Sequence, residues 1–457
     1  MLGGGPSGAA VSRLLASWGH RVRLRTRPAG MRRLGVSLPP SCAKIFGAIG
    51  VADAMERAGF VRSTGNTVWW GASEPRVELF AGGGRGWQVD LAQLEAILLD
   101  EARHAGVEID REVVHTYRHA PHDAAFVLDC SGHTGLVARA LNVRRYHDGP
   151  KTVALVGEWR GEFELLEDQS HTAIESYRDG WMWSVPVAAG VRHVSAMIDP
   201  QRSDLARGAS PRDIYLGEIE KTSAFRKVLA TASFTAGPLG WDASTYSADQ
   251  YCGDDWLLVG DAGSFIDPLS SAGVKKALAS AWLAAVVVNT SIRTPAMARH
   301  ALDFFSDRER EIERHHAEES RAFLAGAARA HDRPFWSERS NDTSAMSSET
   351  EAIIRAYDGL RQQDHLRVRI DSSVLIEPRP IVEGHEIRLA SHVSAGHSPA
   401  IRFVNGVNVV SLLELAPHAA QVPELYERYV RQSGEVPLHD FLMALSTAVA
   451  RGWLVRQ

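Results

Sequence analysis

The sequence predicts an α/β fold in which an antiparallel sheet is inserted into a parallel layer, with a smaller domain after it. Three observations carry this. Gly3, Gly5 and Gly8 form a GxGxxG turn that opens the apolar helical run 9–18; Gly19-His20 then acts as a stop before the alternating strand 21–25. A second strand-to-helix junction comes late, where apolar residues 256–259 feed Gly260-Asp261 and a helix opens at Lys275. Between the two, residues 152–159, 181–187 and 193–198 read as strands with the spacing of an antiparallel sheet.

The remaining elements follow in order. Only Met1 and Leu2 precede the first glycine, whereas a strand usually runs about five residues, which points to a native start further upstream. Residues 89–105 form an amphipathic helix, 126–129 a short buried strand, 304–330 a long charge-rich helix and 337–351 a mobile polar loop. Past Asp371 the texture changes. Strands are expected at 374–376, 386–390, 400–404 and 453–455, with helices at 407–415, 422–432 and 438–450. The expected division is 1–66, 84–150 and 240–300 for the nucleotide-binding domain, 67–83 and 151–239 for the inserted sheet, 301–370 for a helical extension and 371–457 for the small domain.

Composition narrows the partners. At 457 residues and 45% hydrophobic content the chain can bury two or three cores. A net charge of -5 gives no field for nucleic acid or anionic lipid. Cys42, Cys130 and Cys252 are odd in number and far apart, which argues for reduced thiols and against a disulfide framework or a cysteine zinc site. Without a leader-like start or a run of about 18 apolar residues, a cytoplasmic protein with no membrane span is expected.

The glycines carry the first chemistry. Gly3 permits the tight turn, Gly5 lets backbone approach a pyrophosphate, and Gly8 admits close helix-strand packing, with Pro6 and Ser7 at the helix start. Where an acid usually meets ribose hydroxyls, this chain has Thr26 followed by Arg27. In the late segment, Asp261 after a strand can accept bonds from a polyol, and the Gly273 and Val274 amides at a helix start can face developing negative charge. Asp267 before Pro268 reads as a helix-capping acid.

GGGPSG at 3–8, VSLPPS at 36–41, DCSG at 129–132, GWMWSVP at 180–186, GDAGSFIDPLSSAGV at 260–274 and RPFW at 333–336 together resemble the FAD-dependent halogenases and their relatives, the single-component flavin monooxygenases. The resemblance covers roughly residues 1–337. It implies a Rossmann-type FAD domain, an antiparallel substrate sheet, and O2 with a reductant, either reduced nicotinamide or a separate reductase. The expected cofactor residues are Gly3, Gly5, Pro6, Ser7, Gly8, Thr26, Arg27, Ser37, Gly260, Asp261, Pro268, Gly273 and Val274. For the substrate pocket the candidates are Arg62, Ser63, Trp69, Trp181 and Trp183, with Trp70 beside them. The residues themselves identify no general acid or base.

One departure bears on the reaction. The halogenases so resembled carry a lysine in the region matching GFVRSTGNTVWWG at 59–71, where this chain has Arg62 and Ser63 and no lysine. Arginine stays protonated and does not replace it. Leu91 also stands where such relatives have an arginine near the flavin phosphates. Hydroxylation asks less of side chains: the protein excludes water, positions an electron-rich ring and supplies a proton.

The tail resembles the small winged-helix domains that grip leader peptides; its nine acids against seven arginines from Asp371 onward suit a phosphate backbone poorly. The combined expectation is an FAD monooxygenase resembling those that hydroxylate a peptidyl tryptophan during tryptophylquinone maturation. A protein or peptide would be its substrate, and other maturation enzymes its partners. The alternatives are a halogenase of a tethered aromatic substrate and a non-catalytic flavoprotein scaffold.

Overall fold

The computed structural model describes residues 1–27, 34–117, 124–203, 208–340, 348–361, 365–396 and 400–456. It divides into two compact units, Met1–Thr343 and Ser344–Gln457. The loop expected at 337–351 lies partly outside the described residues; helices Pro334–Ser337 and Ser348–Arg361 take up its two ends.

In the first unit, Leu2 is bridged in parallel to Arg25 on one side and Asp129 on the other. Strand Arg23–Arg25 pairs in parallel with Glu108–Asp110, and Val127–Asp129 with Trp256–Leu258. The short first segment thus occupies the middle of the layer. Helix Pro6–Ser17 starts three residues ahead of its apolar run, because a proline in the first turn gives up an N–H that would have no partner there. It packs between helices Leu91–His104 and Gly273–Arg293 and buries Ala9, Ala10, Val11, Leu14 and Leu15. Asp90 starts the first of these neighbours by accepting the Ala92 and Gln93 amides at 2.8 and 3.1 Å.

The inserted sheet has seven strands in the order 233–242, 153–160, 191–198, 180–188, 172–177, 65–69 and 76–79. All its pairings are antiparallel except that of Gly65–Trp69 with Thr172–Tyr177. Alternation splits its residues between two cores. Trp69, Leu155, Trp159, Met182 and Val194 pack with Tyr215 and Ile219 of helix Pro211–Glu220. Val68, Ala154, Val156, Trp181, Trp183 and Met197 pack with Leu324, Ala327, Phe335 and Trp336. The long helix runs Ala298–Ala328, six residues earlier than its charge pattern suggests, and its residues up to Ala328 belong to the first unit.

The second unit has its own core, with Val393, Val407, Leu412, Leu425, Phe441, Leu445 and Trp453 buried. Strand Val368–Ile370 pairs with Leu454–Arg456, and Val374–Glu383 forms a long hairpin with Glu386–Ala395. Three helices follow, Val409–Leu415, Val422–Ser433 and Leu438–Ala450. Residues 407–408, expected as helix, are a short strand instead, because Asn408 caps the helix that starts after it. No helix among the described residues is long and apolar enough to cross a membrane.

Candidate functional site

The glycine turn is shaped by contacts that exclude side chains. Gly3 sits at φ +104°, in the left-handed region, and a Cβ there would lie 2.4 Å from the Cys130 carbonyl oxygen. At Gly8 a Cβ would lie 1.8 Å from the Gly3 carbonyl oxygen. The helix therefore sits directly on the turn, and Gly5 becomes its N-cap with no side chain bonding the first-turn amides. Helix Gly273–Arg293 has Ala272 as its N-cap residue, likewise without a side-chain cap.

The strand Val127–Asp129 ends in an acid that does internal work. Buried Asp129 accepts from the Ser131 amide and hydroxyl at 3.0 and 2.6 Å and from the Val137 amide at 2.7 Å. Burial pushes its carboxyl up, and these bonds oppose the shift. Asp129→Ala should destabilise the first unit by about 3 kcal/mol, since the Ser131 and Val137 donors lose their acceptor. Chemical denaturation would measure this; an unchanged midpoint would refute the assignment.

In the late segment, Lys276 is fully buried and donates to the Gly260 and Ser264 carbonyls at 3.2 and 2.6 Å, with Asp261 Oδ1 at 3.8 Å. The turn that carries Asp261 is thereby tied to the helix behind it. Asp267 accepts the Leu269 amide at 2.9 Å, the capping role expected of it, and burial pushes its carboxyl up.

These parts line one cavity of about 720 Å³. It takes in Gly3, Gly5, Pro6, Ser7, Thr26 and Arg27 from the start of the chain, Ser131 to Thr134 after the DCSG strand, and Asp261, Pro268, Gly273 and Val274 from the late segment. Its floor is the sheet face bearing Ala154, Val156, Trp183, Ser195, Met197 and Trp241. Two uncapped helix N-termini thus open on a space of small-ligand size, an arrangement suited to the phosphates and electron-rich ring of FAD. Trp183 Nε1 and His133 Nε2 are buried on its wall with no hydrogen-bond partner among the described residues. Burial holds the His133 imidazole below its ordinary range, so it is neutral at pH 7.

Several expected site residues lie elsewhere. Gly8 and Gly260 sit behind the cavity wall, each in a packing role; a Cβ at Gly260 would be 3.3 Å from Ala277. Ser37 is on strand Gly35–Leu38, and by alternation Leu34 and Val36 face the cavity in its place. Trp69 points into the opposite core, because Val68 is the residue in register with Ile174 and Trp183. Trp181 shares the Trp183 face but stays outside the lining, edge-on to Trp70 with ring centroids 6.4 Å apart. Arg62 is bound to Glu56 at 2.7 Å and lies over the Trp87 ring at 4.2 Å. Ser63 is 1% exposed and donates to the Gly65 carbonyl at 2.9 Å. Neither reaches the cavity. Conversely, Glu95, His133, Arg139, Trp241 and Phe265 line it without having been expected. Phe265 lies inside the GDAGSFIDPLSSAGV segment and His133 directly follows DCSG, so a local signal marks both; Glu95 and Trp241 carry none.

A glycine turn, a second strand-to-helix junction and a sheet face that meet at one cavity are the arrangement expected of a flavin-dinucleotide protein. Residues 81–367 match the family described as tryptophan halogenase, more than half of the chain. The chain belongs to that family, and its cofactor is FAD. It is similar to the tryptophan 2-halogenase of Chondromyces crocatus, 27% identical over 342 residues that cover 67% of this chain and 63% of that enzyme's length. Among solved structures, the flavin-dependent halogenase CmlS superposes with a TM-score of 0.80 at 21% identity, covering 99% of this chain and 94% of CmlS. The peptidyl tryptophan dihydroxylase QhpG superposes at 0.63 and 21% identity, covering 99% and 98%. The order of expectation therefore reverses: hydroxylation stood ahead of halogenation, and the family match favours halogenation.

Proposed function

We propose that the protein uses O2 and reduced FAD to modify an electron-rich aromatic ring, with halogen transfer as the outcome. The observation that carries this is the single cavity joining the glycine turn, the Asp261 segment and the tryptophan-bearing sheet face. FAD and an aromatic substrate would share one cavity, and the family match supports the halogenase type of outcome. When bound and reduced, the flavin supplies the electrons that activate O2. The chain's own residues bind and exclude. Trp183 and Trp241 offer aromatic faces to a ring, Ala154, Val156 and Met197 keep the floor apolar, and neutral His133 can hold or pass a proton.

A second reading is hydroxylation, including that of a tryptophan held in a polypeptide, with the second unit as docking module. One observation favours it. Among the described residues the cations lining the cavity are Arg25, Arg27 and Arg139, with no lysine, and Ser63 is bonded to the Gly65 carbonyl. Product mass separates the readings. The protein is incubated with FAD, a flavin reductase, reduced nicotinamide, O2, chloride or bromide, and a panel of indoles and phenols, free and within peptides. Exchange of hydrogen for halogen is the expected result. Gain of one oxygen regardless of halide establishes the second reading, and unchanged mass throughout leaves the flavoprotein scaffold.

A further inference from the structure

The carboxylate that a glycine turn of this kind calls for is present, on a different element. Its usual place is the end of the second strand, where it accepts from ribose hydroxyls. Thr26 stands there, and its hydroxyl is already committed: it accepts the Gly4 amide at 3.1 Å and donates to the Arg27 carbonyl at 3.1 Å. Thr26 is 7% exposed and closes the turn.

Glu95 lies in the second turn of helix Leu91–His104, which packs against helix Pro6–Ser17. It lines the same cavity, so close to the turn that a Cβ on Gly5 would stand 3.6 Å from Glu95 Oε1. The other lining acids are placed differently. Glu112 has a 64% exposed side chain, Asp261 belongs to the late segment, and Asp242 comes from the end of strand Ser233–Asp242.

We propose that Glu95 accepts hydrogen bonds from the ribose diol of the adenosine half of FAD, in the role that Thr26 has vacated. The inference rests on the FAD assignment. A carboxylate beside a pyrophosphate repels it, whereas vicinal hydroxyls can each donate to one carboxylate oxygen, so charge favours the diol as the partner. Glu95 then makes the site selective for a ribonucleotide with a free 2′-hydroxyl.

Displacement of bound FAD by ADP and by 2′-deoxy-ADP, followed through the rise in free-flavin fluorescence, tests this. The wild-type protein should bind ADP roughly tenfold more tightly than 2′-deoxy-ADP, the effect of one hydrogen bond to a charged acceptor. Glu95→Ala should bring that ratio to about one, and Glu95→Gln to about threefold, as for a neutral acceptor. Equal wild-type affinities for the two nucleotides would overturn the proposal whether or not the variants fold. So would an unchanged ratio in Glu95→Ala, or tighter FAD binding by Glu95→Gln, which would place the carboxylate against the phosphates. A wild-type protein that binds neither FAD nor ADP would overturn the FAD assignment together with it.

Discussion

Gly8→Val is expected to abolish saturable FAD binding and to destabilise the first unit by about 3 kcal/mol, the upper end of what overpacking commonly does. The obstacle is backbone rather than a flexible side chain. A Cβ at residue 8 would lie 1.8 Å from the Gly3 carbonyl oxygen, so helix Pro6–Ser17 has to lift from the turn. Lifting carries the Ser7 amide away from the cavity and disturbs the packing of Ala9, Val11 and Leu14. FAD titration and chemical denaturation of the same sample measure both effects. Wild-type affinity in a protein of wild-type stability would show that the turn is not the phosphate cradle.

The second large effect is at Arg192, which is 1% exposed and donates to hydroxyl and carbonyl oxygens rather than to a carboxylate among the described residues. Its guanidinium donates to Ser184 Oγ at 2.7 Å, to the Gln169 carbonyl at 3.0 Å and to the His171 carbonyl at 2.5 Å. Burial pushes its pKa down to about 9, which still leaves it charged at pH 7. Arg192→Ala should destabilise by roughly 4 kcal/mol, because the buried Ser184 and His171 acceptors and the part-buried Gln169 carbonyl lose their donor at about 1–3 kcal/mol each with partial relaxation. Arg192→Met should cost less, since it removes the buried charge while keeping most of the volume. The test is the difference between the two denaturation midpoints. Equal and small effects would mean that water replaces the guanidinium and that the 169–171 segment does not depend on it.

Much of the fold was legible in the sequence because its signals are local. The glycine turn, the strand into Gly260-Asp261 and the alternation of 181–187 each follow from a few neighbouring residues, and each lies where it was expected. Boundaries moved where capping decides them, as at Asn408 and Pro6. The cavity was half legible. Alternation predicts that Trp181 and Trp183 share a face, and they do; it cannot say which of the two reaches the cavity, because that depends on Trp70, Phe323 and Trp336 arriving from distant segments. The same limit applies to Trp69 and Trp70, adjacent in sequence and directed to opposite cores. Glu95 and Trp241 were invisible for a related reason: each is an ordinary residue of a regular element until another element is packed beside it.

One cavity, bounded by the glycine turn, the Asp261 segment and the tryptophan face of the sheet, is expected to hold FAD. A crystal structure of the protein grown with FAD tests it most directly. Dinucleotide density is expected in contact with both the Gly3–Ser7 turn and the Gly273–Val274 helix start, with the flavin ring over the sheet face of Trp183 and Trp241. Density for FAD at any other place, with this cavity filled only by solvent, would contradict it.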